Sequence, residues 1–575
     1  MSDSGSRWRA LASLLRPHRR RWGLLGALVA IAAALSVSGP LVVRRIVDRA
    51  IDGTTPATIV RLAALFLAIA IAGQIVGLIV TWLATTTAWQ TTNDLRLRLA
   101  RHVLGLDHEF HRTHTPGELI SRVDGDVTAV SDFLSMVLPK VATTVCVVTG
   151  VVASLAFVDW RLAVGAAAYL TLTIVVLVRS RHRAVAEAGD EMHATAKLYG
   201  GIEERLTAAE DLRANGALDH AMWRFAGESA DVMTSAMRRE RAFLRLWWRL
   251  QGMVGGGAAV ALGTSAILVP RGAITIGTAL LLYQYVNLIE RPLAEFVHQL
   301  ETLQKANGAM VRVIDLLAIQ PTVLDKGTAP FPADAPSIDF ARCSFHYGDD
   351  QTVLDDITVA IPGGTTVGIV GRTGSGKTTL SRLVLRLVEV TAGDVRIGGV
   401  PIAEIALTEL RAHVALIPQE VELFGATVRD NVTMFDPRPT DAAVAAALSN
   451  AGLADLTTDL DRVLSAGGGG LSAGEAQLIS LARVWLRDPS VIVLDEATAR
   501  IDPQTEAMLH AAVTELRRGR TTLIIAHRLS TLRDVDKILV VDAGRVVEYG
   551  DRDTLADDAE SRYRRLLDAG MEVVE

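Results

Sequence analysis

The chain has 575 residues, too many for one hydrophobic core, so at least two domains are expected. It is 50% hydrophobic and only 21% charged, with a mean hydropathy of +0.30, which is greasy for a soluble protein. The formal net charge of −6 leaves no electrostatic footprint for nucleic acid, and two cysteines, Cys146 and Cys343, argue against a disulfide framework.

In chain order, Arg16, Arg19, Arg20 and Arg21 come first and predict a cytoplasmic N-terminus. The apolar run behind them is of full length and shows no evident cleavage site, so it reads as a span and not as a signal peptide. Arg44, Arg45 and Arg49, after that run, oppose the charge rule and are read as the weaker signal. Six apolar runs occupy the first half, at 22–43, 62–83, 137–158, 162–178, 253–269 and 274–289. Some are nearer 17 residues than the ~20 that cross a hydrocarbon core, so the helices are expected to extend past these edges. The fifth run is the weakest, because Gly252, Gly255, Gly256 and Gly257 lower its helix propensity.

Connections after runs one, three and five are short. Those after runs two and four are long, about 50 and about 70 residues, and carry amphipathic charged sequence that reads as helix continuing into water. Six spans return the C-terminal half to the cytoplasm. A proline-bearing linker at 319–336 then leads into alternating strand-like and helix-like runs, the α/β pattern of a mainly parallel sheet. The expected fold is a multidomain membrane protein: an all-α six-helix transmembrane domain at 1–318, the linker, and an α/β phosphate-loop NTPase domain at 337–575.

The chemistry sits in that last domain. GRTGSGKTT at 371–379 follows the strand-like run 366–370. Gly371, Gly374 and Gly376 let the backbone turn its N–H groups toward the β- and γ-phosphates of ATP. Arg372, Thr373, Ser375 and Thr379 complete the loop. Lys377 reaches the same phosphates, and the Thr378 hydroxyl suits Mg²⁺. Asp495 closes the apolar strand at 491–494 and can hold Mg²⁺ through water, while Glu496 beside it faces the attacking water as general base. His527 follows a third strand-like run and can reach the γ-phosphate. Gln419, in LIPQE, can touch Mg²⁺ or the water.

These motifs in this order resemble the nucleotide-binding domain of ATP-binding cassette (ABC) transporters over about 338–570. The resemblance implies that Gln419 is the Q-loop residue, LSAGE at 471–475 the signature, Asp495 the Mg²⁺ aspartate, Glu496 the catalytic glutamate, His527 the switch histidine and Asp502 the D-loop aspartate. Tyr347, in SFHYGDD, matches the aromatic that stacks on adenine. FHRTHTPGELISRVDGDV at 110–127 and DLRANGA at 211–217 resemble the segments of six-span ABC exporters that dock on the ATPase domain.

In this family two ATPase domains close head to tail on two ATP molecules, so a chain with one of each motif implies a half-transporter needing a second half. The signature departs from the family's LSGGQ. Ser472 and Gly474 remain, but Ala473 adds a Cβ and Glu475 a negative charge where an anion is expected, and 466–470 lacks the usual acidic residue. Arg500 stands where the family has a small residue.

The combination resembles the subunit of an asymmetric heterodimer that supplies Glu496 to the competent site, with a homodimer as the alternative. The expected function is ATP-driven export of small amphipathic compounds (drugs, lipids or natural products) across the inner (plasma) membrane, with the ATPase half cytoplasmic. Import on the same scaffold, as of siderophores, is the alternative in transport. A soluble ABC ATPase is opposed by the spans, and a peptidase-coupled exporter by the roughly 20 residues before the first of them. Gln74, Tyr283, Tyr285, Asn287 and Glu290 are the candidate substrate contacts.

Overall fold

The computed structural model describes residues 15–332, 335–348, 351–465, 471–495, 503–526 and 529–568. Contacts divide the chain into two compact units, one of Met1–Gly105 with Thr115–Ile319, the other of Leu106–His114 with Gln320–Glu575.

The first unit holds six long helices among its described residues: α1 (Arg19–Ile51), α2 (Pro56–Leu104), α3 (Pro116–Val158), α4 (Trp160–Thr207), α5 (Leu218–Leu268) and α6 (Ile276–Ala318). At 1.5 Å per residue α5 is about 76 Å long, more than twice the ~30 Å of a hydrocarbon core. The apolar runs therefore do extend past their sequence edges. Among the described residues, five helical stretches are long and apolar enough to cross a membrane, on α1 to α5. The sixth apolar run lies on α6. Leu78, Trp82, Phe157 and Val260 stand exposed on the outer faces, as lipid-facing positions do.

Inside this unit Val37, Val147, Val151, Leu170, Leu250 and Leu281 pack into one cluster with Tyr285. Tyr285 is 2% exposed; its hydroxyl donates to the Val37 carbonyl at 3.1 Å and meets Ser154 Oγ at 2.7 Å. This candidate substrate contact is instead a satisfied packing residue. Of the four glycines of the fifth run, Gly257 finds a reason. A Cβ on Gly257 would lie 2.5 Å from the Tyr169 hydroxyl, which donates to the Met253 carbonyl at 2.8 Å. The run gives up helix propensity at Gly257 for close approach of α4, and α5 stays helical because its packing face carries it.

Helix α3 contains two π-helical turns, Ser121–Asp126 and Phe133–Val137. At the first, buried Asp126 receives a two-pronged ion pair from Arg312 of α6, with Nε at 2.9 Å from Oδ2.

The second unit has two sheets. A six-stranded sheet runs in the order β10-β9-β3-β8-β7-β6, with β3 (Thr366–Val370), β6 (Val414–Ile417), β7 (Val491–Asp495), β8 (Thr521–Ile525) and β9 (Lys537–Asp542) parallel, and β10 (Arg545–Asp551) antiparallel at its edge. This is the mainly parallel sheet expected. Its strands alternate between two buried faces. Val367, Ile369, Val491 and Val493 join Leu380 and Leu383 of α7 (Lys377–Val384). Ile492 and Leu494 join Leu478, Ile479 and Leu481 of α8 (Ala473–Arg487) and Leu509 of α9 (Pro503–Leu516).

The second sheet, β2-β1-β4-β5, is antiparallel and departs from the mainly parallel pattern that the sequence implies. In it β1 (Ile338–Tyr347) pairs with β2 (Gln351–Ile361) and β4 (Ala392–Ile397), while β5 (Val400–Pro401) closes the edge. Register shifts at Phe340/Cys343 and beyond break the two-residue alternation by which such strands are read.

Candidate nucleotide site

The phosphate loop, Gln419 and Asp495 fall at the carboxyl ends of parallel strands, the edge at which open α/β sheets bind ligands. The glycine-rich loop joins β3 to α7. Gln419 follows β6, Asp495 ends β7 in register with Ile525, and residue 527 follows β8. Glu496, Asp502 and His527 lie outside the described residues, as do 466–470 and Arg500.

The loop is built for close backbone approach. Gly371 has φ +155°, and a Cβ there would lie 2.0 Å from the Val541 carbonyl oxygen. Gly376, at φ +104°, would put a Cβ 2.5 Å from Leu354. Lys377 is 5% exposed, and its Nζ donates to the carbonyls of Gly371 and Arg372 at 2.8 and 3.0 Å. The buried Ser375 Oγ has no hydrogen-bond partner. An ammonium curled onto its own loop and an orphaned buried hydroxyl fit a cradle for phosphate oxygens. Arg372 and Thr373 are exposed, and Thr379 is buried on α7. Thr378 stands at the helix start, half-buried.

Tyr347 ends β1 with Phe345 edge-on at 4.7 Å, and its hydroxyl accepts from Arg382 Nη1 of α7 at 3.0 Å. Gln419 is exposed, but its carbonyl accepts from Gln477 Nε2 of α8 at 2.6 Å. Sequence reasoning missed Gln477; its signal was a polar side chain on the apolar face of an amphipathic helix. It ties the segment after β6 to the signature helix.

At the signature, Ser472 is the N-cap of α8 and is exposed, as is Ala473, while Gly474 is buried. Ser472 Oγ accepts from the Glu475 N–H at 3.2 Å, and the Glu475 carboxylate accepts from the Ser472 N–H at 2.7 Å. This reciprocal capping box places an internal carboxylate on the helix end that the resemblance assigns to a phosphate.

Of the first docking-like stretch, 110–127, only 110–114 clusters with the ATPase unit, as part of Leu106–His114; 115–127 falls in the helical unit, as does 211–217. Burial, then Arg382, lowers the His108 pKa from its ordinary 6.5; the hydrogen bond from Arg112 lowers that of Glu109.

The helical unit holds a cavity of about 930 Å³, lined by Phe66, Gln74, Thr81, Met136, Lys140 and Asn287 among others. Gln74 and Asn287, of the candidate substrate contacts, therefore line it. Lys140 pairs with Glu295 at 3.6 Å.

The fold and the cradle define a membrane-embedded phosphate-loop ATPase. A family profile described as "ABC transporter transmembrane region" matches residues 22–293, and a second, "ABC transporter", matches 354–499. The fatty acid ABC transporter ATP-binding/permease protein of Mycobacterium tuberculosis is 30% identical over 506 residues, covering 84% of this chain and 78% of that one. The ATP-dependent lipid A-core flippase of Pseudomonas fluorescens (strain Pf0-1) is 31% identical over 484 residues, 83% of this chain and 80% of that one. A solved bacterial Atm1-family ABC exporter with ATP bound superposes with TM-score 0.83 at 24% identity, covering 96% of this chain and 98% of that one, and so shares the fold.

The chain belongs to the ABC transporter family, with its transmembrane and ATP-binding halves fused. It binds and hydrolyses ATP to drive export, as a multi-pass inner-membrane protein with a cytoplasmic ATPase domain. ABC exporters work as dimers.

Proposed function

We propose that this chain is the catalytic-glutamate half of a heterodimeric exporter of amphipathic compounds. One observation carries the asymmetry: the Ser472–Glu475 capping box. An incoming γ-phosphate must displace a carboxylate from the Ser472 N–H and then share the helix end with its charge, whereas a neutral glutamine offers weaker competition. The signature this chain lends to the opposite site is thereby weakened. Its own phosphate loop is intact, so the site with Glu496 as base, His527 at the γ-phosphate and Asp502 across the interface works when a partner brings LSGGQ. The cavity supports an amphipathic cargo, since hydroxyls, amides and one lysine are interspersed with apolar side chains along its wall.

Thr378, Asp495 and Gln419 would hold Mg²⁺, a hydroxyl, a carboxylate and an amide oxygen being the hard donors it prefers. Bound there, the ion neutralises charge building between the β- and γ-phosphates.

The test is ATPase activity of the full chain in lipid, alone and mixed with a half-transporter bearing LSGGQ. The proposal expects little turnover alone, restoration by the partner, and its loss when only this chain carries Glu496→Gln. Full turnover by this chain as a stable homodimer sinks it.

A further inference from the structure

Arg112 belongs to none of the nucleotide motifs. It lies on the short helix His108–Thr113, inside the ATPase unit although its neighbours in sequence on both sides belong to the helical one. The Asp107 carboxylate anchors this helix by accepting the N–H groups of Thr322 and Val323, the second at 3.3 Å. Glu109 then fixes the guanidinium, accepting from Arg112 Nε at 3.1 Å and from Nη2 at 2.6 Å. Held in this way, Arg112 Cζ lies 5.5 Å from the centroid of the Tyr347 ring. Three groups thus grip that ring: Phe345 at an edge, Arg382 at the hydroxyl and Arg112 over its π-system.

We propose that Arg112 is a positioning residue for the adenine base, holding the Tyr347 ring in place to receive it, and that base stacking in turn tightens the 106–114 segment on the ATPase unit. This rests on reading Tyr347 as the adenine-stacking residue. A ring already immobilised by a cation loses less freedom when a base stacks on it, so the contact strengthens binding by preorganisation. Linkage makes the effect mutual: the factor by which Arg112 strengthens base binding is the factor by which the base strengthens the segment's hold. Three residues of chain, 105–107, separate the helix His108–Thr113 from α2, which ends at Leu104.

The experiment compares wild type, Arg112→Ala, Arg112→Lys, Tyr347→Ala and the Arg112→Ala/Tyr347→Ala pair as full chains in lipid nanodiscs. It measures the Kd for ATP and for inorganic tripolyphosphate, which has the phosphates without the base. Arg112→Ala is expected to weaken ATP by about two- to fivefold, the size of an exposed cation–π contact, and to leave tripolyphosphate binding alone. Arg112→Lys keeps most of the affinity, and the loss in Arg112→Ala falls on KM more than on kcat. In the Tyr347→Ala background the arginine change adds nothing.

An unchanged ATP Kd in Arg112→Ala beside a raised one in Tyr347→Ala overturns the positioning role while sparing the stacking reading. Equal weakening of ATP and tripolyphosphate also overturns it, because the defect is then a general loosening. If Tyr347→Ala itself binds ATP normally, the stacking reading and this inference fall together.

Discussion

Glu475→Gln separates stability from activity, because the two should move in opposite directions. The Glu475 carboxylate accepts from the Ser472 N–H at 2.7 Å at the start of α8. Glutamine keeps an acceptor there, so the capping box survives, but the negative charge at the helix N-terminus is lost, a cost of about 0.3–1 kcal/mol. For an ATPase unit of this size the midpoint of thermal unfolding should fall by about 1–3 °C. Against this, the approaching phosphate now displaces a neutral hydrogen bond of about 0.5–1.5 kcal/mol in place of a charge-assisted one of about 1.5–3. The difference, about 1–1.5 kcal/mol, corresponds to about five- to thirteenfold tighter ATP-driven closure. The assay is ATPase rate against ATP concentration for the full chain in lipid, with calorimetric unfolding of the same samples. A variant that is both less stable and no faster refutes the reasoning, since Glu475 is then only a cap.

Three further expectations follow from the geometry. Gly371→Ala drives a Cβ into the Val541 carbonyl and should lower ATP affinity more than tenfold, with the rest of the chain folded, as read by nucleotide binding and circular dichroism. Tyr285→Phe removes the hydrogen bonds to Val37 and Ser154 and should cost about 1 kcal/mol of stability while leaving cargo-stimulated ATPase in place; loss of stimulation would return Tyr285 to the substrate site.

His108 gives the pH dependence. Burial and then Arg382 lower its pKa, with Arg112 and His111 adding to this and Glu109 opposing, so the docked segment favours the neutral ring. Its contribution is complete above 6.5 and is lost as pH falls through the lowered value. Amide protection across 106–113, taken relative to the intrinsic exchange rate at each pH, should fall on acidification below 6.5 in wild type and not in His108→Gln.

The architecture was legible because each half carries its own strong signal. Runs as apolar as 62–83 have no other use at that length, and the strands ending at Val370 and Asp495 are uninterrupted, so the motifs behind them land on one edge of a sheet. The antiparallel sheet was hidden by the bulges in β1. Gly257 counted against a helix because its partner, Tyr169, is distant in sequence. The spacing Ser472-x-x-Glu475 is itself a capping-box pattern, legible in the sequence, where it coincides with the family signature. Gln477 and Arg112 act through contacts across the fold that no local pattern encodes.

The nine residues Leu106–His114 change what counts as a separable part of this protein. A piece cut at residue 320 would seem to carry the whole ATPase. It would lack the carboxylate that holds the Thr322 and Val323 amides, and the guanidinium over Tyr347. Exchanging ATPase halves between relatives therefore has two crossover points and not one. A chimera that moves 106–114 together with 320–575 should retain its own ATP affinity, while one joined only at the linker inherits a foreign loop against Tyr347.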